Sequence, residues 1–425
     1  MEERFSRNTF LFYLQAIVAS FLTYSCMYAI RKPITAATFD GLLFAGINYK
    51  VALIIFQVIG YTLSKFMGIK FVSEVPYHKR KLTLSLTVGL GWGSLLLFAL
   101  IPAPYNAPIL IFNGLCLGMV WGLVFSYLEG RTTTEFLGAC LCTTFILSSG
   151  IVKAVGKYLI HLGITEFWMP FTTGAIFALP FIFSIYLLDK LPSPSEEDKK
   201  FRSERIPMSP EDRKKFFSEF TLGIILVLIA YGLLSTVRDV RDNFAPEILE
   251  GLGLGQKPAL LVMTEIPIFI LCLIVIASSS FIKNNSKGLW FNFWLYLFSG
   301  VTIVISTFLY QNNQMEPIYW LIILGLATYL PYISLQINLV DRWVALFKMK
   351  GTVSPLVCLM DGFGYFISTL VMLYKAFGET KVTWPSFLAQ LTWILGISLI
   401  ALSGLTYFYF QSKLKTELVA EPLPA

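Results

Sequence analysis

Twelve apolar stretches, each about as long as the 20 or so residues a helix needs to cross a bilayer, punctuate this chain and leave little choice of fold. They lie near 10–38, 48–71, 82–101, 105–128, 135–160 and 168–188, then near 219–245, 258–281, 288–310, 317–340, 351–376 and 386–411. In hydrocarbon each backbone N–H and C=O must be satisfied within the segment, so spans of this kind are helices. Composition agrees: 14% of the 425 residues are charged, against about 25% in an average soluble domain. A water-soluble fold would have to expose too much of the 56% that is hydrophobic. The expected class is an all-α membrane protein.

The one long polar segment, Pro- and Ser-rich with alternating charge, divides the spans six and six. It predicts an N-terminal six-helix bundle over 1–188, a cytoplasmic linker over 189–218 carrying a short amphipathic helix, and a C-terminal bundle over 219–425. The net charge of +7 is spread through short loops and does not form a nucleic-acid patch. Arg4, Arg7, the run His78-Lys79-Arg80-Lys81, Arg131, Lys283, Lys287, Arg342, Lys348, Lys350, Lys413 and Lys415 fall on the linker's side. Lys50, Lys257, Lys375 and Lys381 fall on the other, so both termini are expected in the cytoplasm. No cleavable signal is read at the N-terminus. The six cysteines sit in apolar segments without metal or disulfide spacing.

The two halves are related in sequence. A shift of 207 residues places Tyr24 on Tyr231, Arg31 on Arg238, Lys50 on Lys257, Ala52 on Ala259 and Leu53 on Leu260 without a gap. Further on the register drifts, with Arg131 near Arg342 and Gly138 and Gly150 near Gly351 and Gly364. Six-helix halves repeated about an axis along the membrane normal are a known transporter plan. By that symmetry Arg31 and Arg238 are expected on facing walls of a central cavity.

A charge at mid-bilayer costs roughly 2.5–3.5 kcal/mol on insertion scales and so needs a reason. Tyr24, Tyr28 and Arg31 share a helical face at i, i+4 and i+7, as do Tyr61 and Lys65 at i, i+4. Guanidinium, ammonium and phenol groups together suit a small anion bearing phosphate or carboxylate. The alternative for Arg238 is local neutralisation within Arg238-Asp239-Val240-Arg241-Asp242, and for Arg31 snorkelling to an interface. Glu265 and Asp361 also fall inside spans, as proton sites or as charge balance for an arginine. Lys153 and Lys157, at i and i+4 in the fifth span, either face the cavity or climb to its outer mouth, and Lys32 points to a different face from Arg31.

These strings resemble the organophosphate:phosphate antiporters of the major facilitator superfamily, the glycerol-3-phosphate and hexose-phosphate transporters. YSCMYAIRKP is similar to the family's first-helix Tyr-x3-Tyr-x2-Arg-Lys, and YTLSKFMG to its second-helix Tyr-x2-Ser-Lys-Phe. The resemblance implies that Tyr24, Tyr28, Arg31, Tyr61 and Lys65 line an anion site. It implies the same of Arg238, eight residues before Pro246, and of Tyr329 and Tyr365. The chain departs from the family where Thr144 and Leu147 replace an Asn and a His, where Ser235 replaces a tyrosine, and where Val72 replaces the acid of the loop after the second span.

The function expected is secondary transport of a small organic anion, a phosphorylated metabolite exchanged for inorganic phosphate, by alternating access. A proton-coupled symporter using Glu265 or Asp361, and a non-transporting sensor with the same fold, are the alternatives. No nucleophile elbow, phosphate loop or metal-ligand spacing occurs, and His78 and His161 lie at span ends, so neither enzyme, metal nor cofactor is expected. The expected partners are the small anion and membrane lipid, with no nucleic acid, and the expected state is a monomer.

Overall fold

The computed structural model describes residues 7–128, 131, 134–192, 214, 217–255, 257–279, 282, 284–347, 354–378 and 381–420. Most of the 189–218 linker, with its expected amphipathic helix, lies outside the described residues. The first half of the chain forms α1 (Arg7–Arg31), α2 (Tyr49–Glu74), α3 (Tyr77–Leu100), α4 (Ile109–Leu117), α5 (Val120–Leu128), α6 (Thr134–His161) and α7 (Met169–Asp189). The second forms α8 (Thr221–Asn243), α9 (Ala245–Gly251), α10 (Leu260–Met263), α11 (Glu265–Ser279), α12 (Asn285–Gln311) and α13 (Pro317–Ser334). It continues with α14 (Val340–Leu346), α15 (Ser354–Phe377) and α16 (Trp384–Ala420). A two-residue hairpin, β1 (Leu43–Phe44) and β2 (Ile47–Asn48), leads into α2.

Eleven helical stretches among the described residues are long and apolar enough to cross a membrane, and α15 occupies the remaining predicted span. The chain is an integral, multi-pass membrane protein. Proline sets several boundaries. The first span stops at Arg31 rather than 38, because Pro33 has no N–H to give the Ala29 carbonyl and opens a separate 3-10 turn, Pro33–Ala36. The eighth breaks at Thr264: Pro267 cannot donate to the carbonyl of Met263, and its ring crowds that oxygen. Within the tenth, α13 holds Pro331 and then widens into a π turn, Leu335–Leu339. Side-chain caps start two more: Asn48 accepts from the Val51 amide at 3.3 Å, and Asn284 from that of Lys287 at 3.0 Å.

Two compact units emerge, and they do not follow the repeat. The first comprises Met1–Ser203, Val240–Ala277 and Thr369–Pro385; the second comprises Glu204–Asp239, Ser278–Ser368 and Ser386–Ala425. In the first, α1 packs on α6 and α7, and α2 on α4. The α2–α4 contact is backbone to backbone: a Cβ on Gly114 would fall 2.1 Å from the carbonyl oxygen of Gln57. Small residues at such crossings are how membrane helices gain contact where lipid offers no hydrophobic drive. Phe39, Tyr49, Phe98 and Phe167 form an aromatic plug, with ring centroids 5.5 Å apart for Phe39–Tyr49 and Phe39–Phe167. Trp384 stacks on Phe244 at 3.6 Å and joins 369–385 to 240–277. In the second unit α12 packs along α13, where Ser334 donates to Asn292, and Trp343 is wedged between Phe220 and Phe410.

Candidate functional site

In the first unit the α1 and α2 candidates come together. Arg31 ends α1 and is 6% exposed, with its guanidinium carbon 3.6 Å from the centroid of the Tyr61 ring. Lys65, one turn along α2, places Nζ 5.6 Å from the same centroid. Two cations therefore address one phenol, an arrangement favoured by the negative ring face. Tyr24 and Tyr28 are buried on α1 and meet edge to face at 5.3 Å. Gln57, which the sequence reading did not single out, holds the arginine in place. Its amide donates to the Arg31 carbonyl at 3.0 Å and to Asn113 Oδ1 at 2.8 Å. Asn113 in turn donates to the Gly91 carbonyl at 2.9 Å and Ser94 Oγ at 3.1 Å. The end of α1 is thus referenced to α2, α4 and α3. Polar amides at 57 and 113, in otherwise apolar runs, were the signal available.

Beside this group the same unit carries a chain of buried ion pairs. Asp242, near the end of α8, accepts from Lys32 and from Lys153 of α6, the latter at 2.7 Å, and from Ser149 Oγ. Lys32 also donates to Asn243 Oδ1 at 2.8 Å, and Lys153 to the Asp242 carbonyl at 3.0 Å. Lys50 reaches Glu247 of α9 at 2.5 Å and the Thr35 carbonyl at 2.9 Å. Arg241 pairs with Glu265 at 2.9 Å, so the charge-balance geometry holds for that acid. Burial pushes the Glu247 carboxyl above the usual carboxylate range, and the Lys50 ammonium works against that rise. Lys32, which the helical wheel set apart from Arg31, is an ion-pair residue here.

The second unit has a different character. Arg238 donates through Nε at 3.0 Å and Nη2 at 2.7 Å to one oxygen of its neighbour Asp239. The guanidinium lies 4.2 Å from the Tyr332 ring centroid and 5.8 Å from that of Tyr365. Tyr329 is buried on the same helix as Tyr332. Asp361 of α15 is 5% exposed and accepts from the Tyr231 hydroxyl and, at 2.9 Å, from the Gln336 amide. The Tyr231 and Tyr332 hydroxyls are 2.7 Å apart, and Gln336 Nε2 lies 2.6 Å from the Tyr231 oxygen. Gln336 sits inside the π turn, a feature that often marks functional positions. Glycine allows this meeting: a Cβ on Gly364 would stand 2.5 Å from Ser235 Oγ and 3.0 Å from the Tyr231 ring. Tyr231, Tyr332 and Gln336 were missed from sequence, although Tyr231 is the repeat partner of Tyr24.

Among the described residues no three His, Cys, Asp or Glu side chains gather to hold a metal ion. Comparison with known proteins gives fold and kinship. A model of the family described as "Family of unknown function (DUF5690)" matches residues 33–413. No curated protein matches in sequence. Among solved structures, a D-xylose-proton symporter superposes with a TM-score of 0.64 at 13% identity, covering 93% of this chain and 96% of its own. The nucleoside transporter NupG gives 0.61 at 11%, covering 94% and 99%. A bacterial homolog of the human lysosomal transporter Spinster, captured inward-facing and unoccupied, gives 0.59 at 10%, covering 97% and 99%. At these identities the likeness is one of fold alone.

Proposed function

This chain belongs to the DUF5690 family, described as one of unknown function, and on that premise we propose that it is a secondary transporter for a small organic anion. The observation that carries the reading is the convergence of Arg31 and Lys65 on the Tyr61 ring within an apolar helical bundle. Arginine offers a planar fork of donors to phosphate or carboxylate oxygens, and lysine adds a second charge. The substrate class that fits is a phosphorylated metabolite, exchanged for inorganic phosphate. Solved transporters with this fold supply the mechanism by analogy: the halves alternate access to a site in the membrane. The pairs Lys32–Asp242–Lys153 and Lys50–Glu247, which tie residues 242–247 to the first half of the chain, are bonds that part in one of the two states.

The test is counterflow in proteoliposomes loaded with inorganic phosphate, following labelled glycerol-3-phosphate or glucose-6-phosphate. Exchange lost in Arg31→Ala, and poorly restored by Arg31→Lys, is the expected result. A separate Arg238→Ala arm asks whether the repeat-related arginine acts on the same anion. Uptake unchanged in Arg31→Ala would overturn the assignment.

A further inference from the structure

The first turn of α3 carries His78, Lys79, Arg80 and Lys81 in succession, with no acid among them. This is the positive end of the helix macrodipole, where cations weaken a helix and an anion steadies it. The last turn of α7 lies alongside. Lys81 pairs with Asp189 at 3.2 Å, and the Tyr77 hydroxyl donates to the Leu191 carbonyl at 3.0 Å. Lys190 places Nζ 4.4 Å from the Tyr186 ring centroid. Arg80 donates from Nη1 to the Ser126 carbonyl at 2.8 Å, while its Nε is buried without an acceptor among the described residues. Over residues 74–81 and 186–191 four cations thus stand against two carboxylates, Glu74 and Asp189. Lys79 and Lys190 are both exposed.

From this basic end an apolar strip runs down the outside of α3. Lys79, Leu86 and Leu90 fall on one helical stripe at i, i+7 and i+11, with Leu82 beside it. The three leucines are 60%, 54% and 53% exposed in chain order. Gly89 and Gly93 are exposed next to them, and a Cβ at either would meet nothing within 4 Å. Trp92, stacked on Phe171 at 5.1 Å and donating to its carbonyl at 3.0 Å, fixes α3 against α7 at this level. The two glycines serve neither a turn nor a close helix contact here. What they leave is a shallow apolar channel on α3.

We propose that this end of the first half binds an anionic glycerophospholipid. Lys79, Lys190 and Arg80 hold the phosphate, and one acyl chain lies over Gly89 and Gly93. A free phosphate would match the cations and leave the channel empty. A zwitterionic lipid would fill the channel and bring no net charge to the basic turn. The assignment is independent of the anion-transport reading.

The experiment takes the full-length protein, purified and stripped of lipid in detergent. Phosphatidylglycerol, phosphatidylcholine and inorganic phosphate are added separately, with retained lipid counted by native mass spectrometry and stability read as the thermal transition. The expected result is one tightly retained phosphatidylglycerol and a raised transition, with neither effect from the other two at equal concentration. Lys79→Gln and Lys190→Gln should each weaken retention about fivefold, the loss of one cation at a lipid surface. Lys287→Gln, which removes a linker-side charge from the other compact unit, should leave retention unchanged. Gly89→Leu should leave the lipid-free transition where it was and reduce retention severalfold, because it fills the channel without touching the fold. Equal retention of the two lipids, or a Lys287→Gln loss as large as that of Lys79→Gln, would reduce the site to diffuse surface charge and overturn it. Inorganic phosphate raising the transition alone, with Gly89→Leu without effect, would overturn the lipid as occupant.

Discussion

Replacing Asp242 by asparagine tests the ion-pair chain most severely. The carboxylate serves two ammoniums, Lys32 and Lys153, which are 6% and 1% exposed. An amide of the same shape keeps volume and can still accept from Ser149, but both lysines lose the negative charge that Asp242 supplies. Breaking a buried pair by removing one partner costs about 3–5 kcal/mol, because the remaining ion stays desolvated. The lower figure corresponds to roughly a 100-fold increase in the population in which residues 242–248 detach from the first half. Ile248, 1% exposed on the adjoining α9, is a suitable reporter. With Ile248→Cys in the purified protein, maleimide labelling should accelerate by about that factor in Asp242→Asn. Lys153→Met should produce a much smaller change, since Lys32 still neutralises Asp242. The double variant should fall between, with one ammonium stranded instead of two. Equal labelling rates in Asp242→Asn and the parent, or a Lys153→Met effect as large as that of Asp242→Asn, would refute the account.

Other expectations are narrower. Gly114→Ala forces a methyl onto a backbone carbonyl and should destabilise the protein by about 1–3 kcal/mol, read as an earlier thermal transition. Gly364→Ala should crowd both Ser235 and the Tyr231 ring, disturb the Tyr231–Asp361 contact and lower the thermal transition. Because the Glu247 carboxyl is held above its ordinary range, its contribution to stability is full in acid and is lost as pH rises through the raised value. Glu247→Gln should therefore flatten that part of the stability–pH curve, measured by thermal unfolding.

Much of the fold was legible because bilayer thickness imposes a length on each apolar run, and because proline marks where helices break. The Arg31–Tyr61–Lys65 group was legible in part: i, i+4 spacing on α2 aligns Tyr61 with Lys65 whatever the packing. The ion pairs were not. Lys32 and Asp242 are 210 residues apart, and a helical wheel shows which way a lysine points but not what meets it there. The same limit hid the Tyr231–Asp361 contact, which depends on α8 and α15 approaching as closely as Gly364 permits. Arg238 illustrates an ambiguity that only coordinates resolve, since an adjacent acid can equally face away.

The charged stretch of α8 is shared between the compact units. Arg238 and Asp239 belong to one, and Arg241 and Asp242 to the other, with the division between Asp239 and Val240. All four residues lie within little more than one helical turn, about 5.4 Å of rise. A rod that short does not bend easily, so twisting it at one end re-aims the side chains at the other.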